Sequence, residues 1–514
     1  MVHRDRVVTA AEMAEIDARA QSVFGIPAVV LMENAGQAAW RTLRRHAAPG
    51  EGAIPEIVFI AGTGNNGGDA LVMARQCLVE RVAAVTVVTL RRELRGSVAA
   101  QWDILERLGL LRVVWDDDPD ACRVACGRAD WIVDGITGTG LRSPLRNELR
   151  PLLDAVNGAE ASVCAIDVPS GLRDGAATGD PIVAADLTIV TGYLKRALFA
   201  PRFRHLAGTI ECVDPGFPPS LVEDAAIVTG AVRMMPEVTV SPSPPRRDAH
   251  KGNRGRVLVV GGADDTAGAP VLAAAAAQAM GAGMVRLVAP AASQAAMLAR
   301  DPAVMTGGPD ADAAALCRWA DAVVIGPGWL DLDDGALTRW FREAEAAGTA
   351  VVMDAAALRV LSRGADAWRS VLGGTVPTVL TPHVGEWDAL AEACGIDRGT
   401  DIWEALTAFP SRPGLWILVK SSVSLLRTDS GAVEIVDGRV PALATAGSGD
   451  VLAGAIGAAL ARARAGAAAE IASALRWAVS RHLAAGRRLA ATGGSATALV
   501  DALQRDDRGG AGRA

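Results

Sequence analysis

The sequence predicts an α/β protein of two domains, each a parallel sheet covered by helices on both faces. Three observations predict it. Short continuous apolar runs such as Ile57–Ala61 and Val257–Gly261 alternate with helical patterns along most of the chain, as strands buried on both faces require. Polar, glycine-rich clusters close many of those runs, and open α/β sheets bind ligands beyond the carboxyl ends of their strands. A proline-rich stretch, TVSPSPPRRD at residues 239–248, interrupts the alternation and reads as a linker.

Residues 9–50 read as helix. TAAEMAEIDARA offers a Thr cap and apolar positions at helical spacing, and a second helix is expected over Val29–His46. The strand Ile57–Ala61 runs into Gly62-Thr63-Gly64-Asn65-Asn66-Gly67-Gly68-Asp69 and then the helical Ala70–Val79. Strand, glycine-rich turn and helix present backbone amides to phosphate. Gly62, Gly64 and Gly67 satisfy a GxGxxG fingerprint, a weak signal alone; the two asparagines and Asp69 make the stretch more particular. Further strands are expected at Ala84–Leu90, Trp131–Asp134, Ser162–Ile166 and Leu187–Val190. Polar clusters follow at Asp134–Leu141, Asp167–Leu172 and Thr191–Lys195. One aspartate in such a place is ordinarily a turn residue or helix cap. Four clusters at strand ends favour a shared pocket.

The first domain is expected to end near Pro236. The second opens with RVLVVGG, continues with a helix at Ala269–Met280, and has strands near Val285–Ala289, Ala322–Ile325, Ala350–Met353, Val379–Leu380 and Leu415–Val419. Asp354, Thr381-Pro382-His383 and Lys420 close the last three. Ala444–Asp450, read ATAGSGD, precedes a small-residue helix; its glycines free the first amides of that helix to face an anion. Asp450 is on its own merits an N-cap aspartate or a carboxylate beside a bound phosphate. Residues 506–514 read as a disordered tail.

Composition narrows the function. At 514 residues, half of them hydrophobic, two or three domains are expected. A net charge of −7 gives no support for nucleic acid as partner. The start does not look like a signal peptide, and the alanine-rich runs are too short or interrupted to span a bilayer, so a cytoplasmic protein is expected. Seven scattered cysteines without a matching Cys/His set fit a reducing compartment and no zinc site. Only Lys195, Lys251 and Lys420 are lysines among 51 basic residues, which marks each for a role that arginine does not fill.

Gly62–Asp69, Asp134–Leu141 and Asp167–Leu172 resemble the epimerase domain of NAD(P)H-hydrate repair enzymes. Lys251–Gly255, Gly261-Gly262, Gly281–Gly283, Gly326–Gly328, Asp354–Leu358, Thr381–Glu386 and Ala444–Asp450 resemble the ADP/ATP-dependent NAD(P)H-hydrate dehydratases. The resemblance implies a Rossmann-like αβα sandwich over residues 1–238 and a ribokinase-like one over 249–505. It also implies repair of nicotinamide cofactors hydrated at C6: the first domain interconverts the R and S hydrates, and the second dehydrates the S form with ADP or ATP.

Site residues follow from the same resemblance. The hydrate is expected against Asn65, Asn66, Gly67, Gly68 and Asp69, and against Gly138, Thr139, Gly140, Leu141, Arg142, Ser143 and Pro144. Asn66, Asp134 and Ser170 match a potassium site, although each is as readily a loop hydrogen-bonding residue. Epimerisation needs proton transfer; Asp167 matches a substrate-binding position and is the candidate acid/base, with Lys195 tuning it. In the second domain Lys420, Ser421, Ser422, Val423, Ser424 and Gly449 match nucleotide contacts. Ala269, Gly328, His383 and Asp450 match hydrate contacts, His383 within TPHVGE, one residue from the usual TPHPGE.

Asp450 is expected to take the C6 hydroxyl proton as that oxygen attacks the terminal phosphate; the Gly447–Gly449 amides steady the transferred group. Magnesium is inferred from that chemistry, and a homo-oligomer is the expected state. Three departures from the family stand out: Ala70 and Ala446 where glycine is usual, and Ser421-Ser422 after Lys420 where glycine is common. The rival reading is a ribokinase-like small-molecule kinase with a non-catalytic N-terminal nucleotide-binding module.

Overall fold

The computed structural model describes residues 5–47, 55–223, 232–241, 247–363, 365–397, 399–464, 467–490 and 493–505. Half of the proline-rich stretch (242–246) and the tail (506–514) lie outside the described residues. The chain divides into two compact units, Met1–Met234 and Met235–Ala514.

In the first unit seven parallel strands lie in the order Arg112–Val114, Ala84–Thr89, Glu56–Ala61, Trp131–Gly135, Ser162–Ile166, Leu187–Thr191 and Thr209–Val213. The chain starts at Glu56–Ala61, winds outward to one edge and returns to Trp131–Gly135 on the other side. The strand order therefore reverses between these two neighbours, opening a crevice at their carboxyl ends, where such sheets take ligands. Two apolar layers sandwich the sheet, one with Trp40, Phe59 and Trp102 and one with Ile60, Trp115 and Leu152. Glycine is required at the crevice: a Cβ on Gly62 would lie 1.9 Å from the Ile136 carbonyl oxygen, and one on Gly67 2.0 Å from that of Gly62.

The second unit repeats this logic with other sequences. Parallel strands run Met305–Gly307, Met284–Val288, Arg256–Val260, Ala322–Ile325, Ala350–Met353, Thr378–Leu380 and Leu415–Val419; Val423–Arg427 and Val433–Asp437 then add antiparallel. The order reverses between Arg256–Val260 and Ala322–Ile325, where Gly261 passes so close to Pro327 that a Cβ would lie 2.2 Å from its carbonyl oxygen. The helix Ser448–Ala463 is buried on every side from Val451 to Ala461. Its Gly454 lets it touch Ala273 of the helix Gly268–Ala279, where a Cβ would stand 2.0 Å from a backbone oxygen. That contact packs Ser448–Ala463 closely against Gly268–Ala279.

Sequence reading located the strands nearest the sites to within a residue or two at most ends. It did not name the edge strands Arg112–Val114, Thr209–Val213 and Met305–Gly307 or the antiparallel pair after Lys420. All seven cysteines are free, and no described helix is long and apolar enough to cross a membrane.

Candidate active sites

The crevice of the first unit is a cavity of about 460 Å³. Its walls include Asn65, Asn66 and Asp69 from the first turn, Thr137–Leu141 from the second, and Asp167, Thr191, Lys195 and Asp17. Asp167 leaves its strand with φ +69, a backbone state uncommon for a residue with a side chain and typical of functional positions. Its carboxylate is held from four directions. Lys195, 2 % exposed, forms an ion pair with it. The Thr139 backbone N–H (3.0 Å), the Thr139 hydroxyl and the Thr191 hydroxyl (3.1 Å) donate to it. Burial pushes the Asp167 carboxyl up, but Lys195 and these hydrogen bonds outweigh it and hold the group below its usual value. Lys195 is pinned in turn by the Thr191 carbonyl at 2.5 Å.

Behind the cavity, Asp134 is fully buried. It accepts from the Ser170 backbone N–H (2.8 Å), the Ser170 hydroxyl (2.5 Å) and the Ile136 N–H (3.2 Å). Burial raises it to about 6 against these hydrogen bonds, with no cation among the neighbours that shift it. The Thr137 N–H donates to the Ser170 hydroxyl (2.8 Å), tying in the second turn. Across that turn, a Cβ on Gly138 would be 3.1 Å from Asn66 Oδ1 and 3.1 Å from Asp167 Oδ2. Asn66 also carries a buried Nδ2 without a hydrogen-bond partner.

The structure thus gathers Asn65, Asn66, Asp69, Gly138–Leu141, Asp167 and Lys195 around one cavity, with Asp134 and Ser170 beneath it. Gly67 and Gly68 are buried in the first turn of the helix Asn65–Glu80 and do not line the cavity. Arg142, Ser143 and Pro144 are exposed and do not line it either. Ala70, where the family usually has glycine, does not line the pocket: it is buried in the core against Gly135.

In the second unit a cavity of about 540 Å³ opens beside the helix Ser448–Ala463. Lys420, Ser421, Ser422, Ser424 and Gly449 line it together with Leu443, Leu452 and His482. Val423 is buried within its strand and faces no part of it. The turn before the helix passes through Gly447 at φ +88, where a Cβ would press on Leu272 (2.6 Å) and Ala496 (2.9 Å). The Ser448 hydroxyl donates to the Leu443 carbonyl (2.7 Å), and His482 Nε2 lies 3.1 Å from the Ser448 carbonyl oxygen. Burial, with Lys420 nearby, lowers His482 to about 4 despite that hydrogen bond, so the ring is neutral and donates through Nε2. Ala446 needs no left-handed backbone, so the turn forms without the usual glycine.

Asp450 lies in the first turn of that helix, and among the described residues no donor reaches its carboxyl. Burial raises it to about 7; Asp354 and Glu386 push the same way and Lys420 opposes them. Lys420 is instead paired with Asp354 at 2.7 Å, and its Nζ would be 3.1 Å from a Cβ on Gly449. His383 starts the helix Val384–Ala393: its Nδ1 accepts from the Gly385 (3.0 Å) and Glu386 (3.3 Å) N–H groups, while the Glu386 carboxylate accepts from the His383 N–H (2.9 Å). A backbone bridge joins His383 to Lys420. Gly328 and Ala269 adjoin each other, a Cβ on Gly328 falling 3.0 Å from that of Ala269. Neither these two nor His383 nor Asp450 lines the 540 Å³ cavity.

Sequence reading gave no role to Asp17, Thr191, Asp354, Glu386 or His482. Asp354 carried a usable signal, since it closes a strand as Asp167 does. Glu386 stands three residues after His383, the spacing of a capping box. Asp17 and His482 lie within helical stretches and carried none.

Comparison with known proteins agrees with this division. The chain matches the family described as YjeF-related protein N-terminus over residues 28–197 and the NAD(P)H-hydrate dehydratase family over residues 257–505. A bifunctional NAD(P)H-hydrate repair enzyme of Moorella thermoacetica is 34% identical over 471 residues, covering 88% of this chain and 87% of its own. One from Salinibacter ruber is 35% identical over 474 residues, covering 87% and 86%. A solved ribokinase-like superfamily protein from Enterococcus faecalis is 25% identical, covers 51% of this chain and 89% of its own, and has a TM-score of 0.42. The chain belongs to the family of bifunctional NAD(P)H-hydrate repair enzymes, which joins an epimerase-related half to a dehydratase half.

Proposed function

We propose that residues 1–238 interconvert the R and S hydrates of NADH and NADPH, and that residues 249–505 dehydrate the S form at the expense of ADP or ATP. The observation that carries this reading is the pairing, in one chain, of two separately built sites: an ion-paired carboxylate in the first crevice and an anion-binding helix start with its own carboxylate in the second. In the first, Asp167 is ionised and placed to accept a proton, with Lys195 keeping it so. In the second, hydroxide is a poor leaving group. Asp450 takes the C6 hydroxyl proton, that oxygen attacks the terminal phosphate of the nucleotide, and phosphate then departs with C6–O cleavage. The first amides of Ser448–Ala463 and Lys420 balance the charge on the transferred group. Ser421, Ser422, Ser424 and Gly449 hold the nucleotide.

Asn66, Asp134 and Ser170 suit a potassium ion. Asp134 is a buried carboxylate with no cation beside it, and the three residues offer hard oxygen donors from three loops. The ion would brace those loops and neutralise Asp134. Magnesium supplies charge screening to phosphoryl transfer. It would enter with the nucleotide, where Asp354, Asp450 and Glu386 provide negative charge. A homo-oligomeric state and a cytoplasmic location belong to the same proposal; light scattering reads the first.

The test is a timed assay of mixed R and S hydrates with ADP and with ATP. Free phosphate and reduced nicotinamide, with both hydrates consumed, are expected. A phosphorylated alcohol that accumulates instead would establish the rival kinase reading.

A further inference from the structure

Of the three carboxyl groups that line the first crevice, Asp17, Asp69 and Asp167, two stand in opposite conditions, and only one of those has a place in the reaction so far. Asp167 is saturated: an ammonium, two hydroxyls and a backbone amide converge on it. Asp69 is 8 % exposed and lines the same cavity, yet among the described residues no donor reaches its carboxyl. It sits in the first turns of the helix Asn65–Glu80. The helix Ala28–His46 covers it with small and apolar residues: Gly36 backs onto its carbonyl and Met32 packs on the neighbouring Gly68. The charged groups that act on it are Asp167, Asp17 and Lys195, of which only Lys195 is positive, and the Lys195 ammonium is already paired with Asp167. A buried carboxyl with two carboxylates near it and no donor keeps its proton; burial first, then Asp167 and Asp17, hold Asp69 well above the usual carboxylate value.

We propose that Asp69 is the proton donor of the epimerisation and Asp167 its acceptor, two carboxyl groups assigned opposite tasks by their surroundings. The proposal rests on the epimerase reading above and deepens it. C6 of the hydrate bears both the hydroxyl and the ring nitrogen. Asp69 gives its proton to the hydroxyl oxygen, the C6–O bond breaks with its electron pair leaving on water, and the nitrogen lone pair closes the C6–N double bond as an iminium. Water then adds to the opposite face of C6, its proton goes to Asp167, and the C6–N π pair returns to nitrogen. The cycle ends with Asp69 ionised and Asp167 protonated; one proton passing back through solvent restores the start, because Lys195 favours the ionised Asp167. No oxidant or further reactant is needed. Pairs of carboxyl groups pushed apart in this way divide acid and base work in other enzymes.

The full-length protein, given the R hydrate without nucleotide, tests this by following S hydrate. Asp69→Asn should lower kcat about 10²–10⁴-fold with KM little changed, and Asp69→Glu should recover part of the rate. In wild type, kcat/KM should fall on the alkaline side as Asp69 loses its proton. That limb should be absent from the residual activity of Asp69→Asn and kept in Asp17→Asn. In ¹⁸O-labelled water each turnover should place label in the C6 hydroxyl. Far-UV circular dichroism and a thermal melt of each variant report that it is folded, and if Asp69→Asn misfolds, the wild-type alkaline limb, the label and Asp69→Glu decide. An Asp69→Asn protein that is as fast as wild type, that loses only KM, or that keeps the alkaline limb would overturn the assignment, as would product without label. A wild type that forms no S hydrate would instead overturn the epimerase reading itself.

Discussion

The two sites spend their lysines differently. In the first unit Lys195 is paired with Asp167, the carboxylate proposed to do the chemistry, and three further donors complete the set. In the second, Lys420 is paired with Asp354, and Asp450 is left without a donor, raised to about 7 by burial and two acidic neighbours. The first arrangement is finished before substrate arrives. The second is completed by what it binds: a cation entering with the nucleotide would restore the charge of Asp450 only when there is a phosphate to transfer. As the proposed base, Asp450 would stay half-protonated until then and be a poor catalyst of wasteful hydrolysis.

The largest effect expected from this contrast is at Asp450. Asp450→Asn should reduce dehydration of the S hydrate about 10²–10⁴-fold while epimerisation by the same preparation is unchanged, each read by its own product. Next comes the Lys195–Asp167 pair. Lys195→Met leaves a buried charge alone and should cost about 3–5 kcal/mol of stability in denaturant titration. It should also move the acidic limb of epimerisation upward, because the group that holds Asp167 low is gone.

How much of this contrast was legible in the sequence follows from where the residues stand. Asp167, Lys195, Lys420 and Asp450 all lie at strand or helix ends in distinctive local sequence, and rare lysines draw attention. The pairing of Lys195 with Asp167 was expected from the sequence, but the partner of Lys420 was not legible: Lys420 and Asp354 are 66 residues apart and meet only because their strands are set near each other by the parallel sheet. Asp17 and His482 were invisible for a related reason, as helix residues brought to a cavity by packing alone. The strands were readable where both faces are buried; the edge strands, short and partly exposed, lack that apolar continuity.

The pH dependence of the two activities should separate. With Asp167 held below the usual carboxylate range, epimerisation should show no acidic limb near neutral pH, whereas dehydration, measured as kcat/KM, should rise with pH through about 7 as Asp450 ionises. The same shift affects stability with a definite sign. The folded Asp450 binds its proton more tightly than the unfolded chain, so stability is lost as pH rises from about 4 to about 7. Asp450→Asn should therefore melt above wild type at pH 8, with the difference vanishing near pH 4. The smallest effect is expected at Gly447→Ala, about 1–3 kcal/mol in a thermal melt, since φ +88 and the Leu272 and Ala496 contacts both oppose a Cβ.

The most direct test of two sites acting in series is a progress curve on an equal mixture of R and S hydrates with ADP, magnesium and potassium. Wild type should convert the whole mixture to reduced cofactor, and Asp167→Asn should stop near half conversion with the R form left over. An Asp167→Asn protein that consumes both hydrates at the wild-type rate would contradict the account.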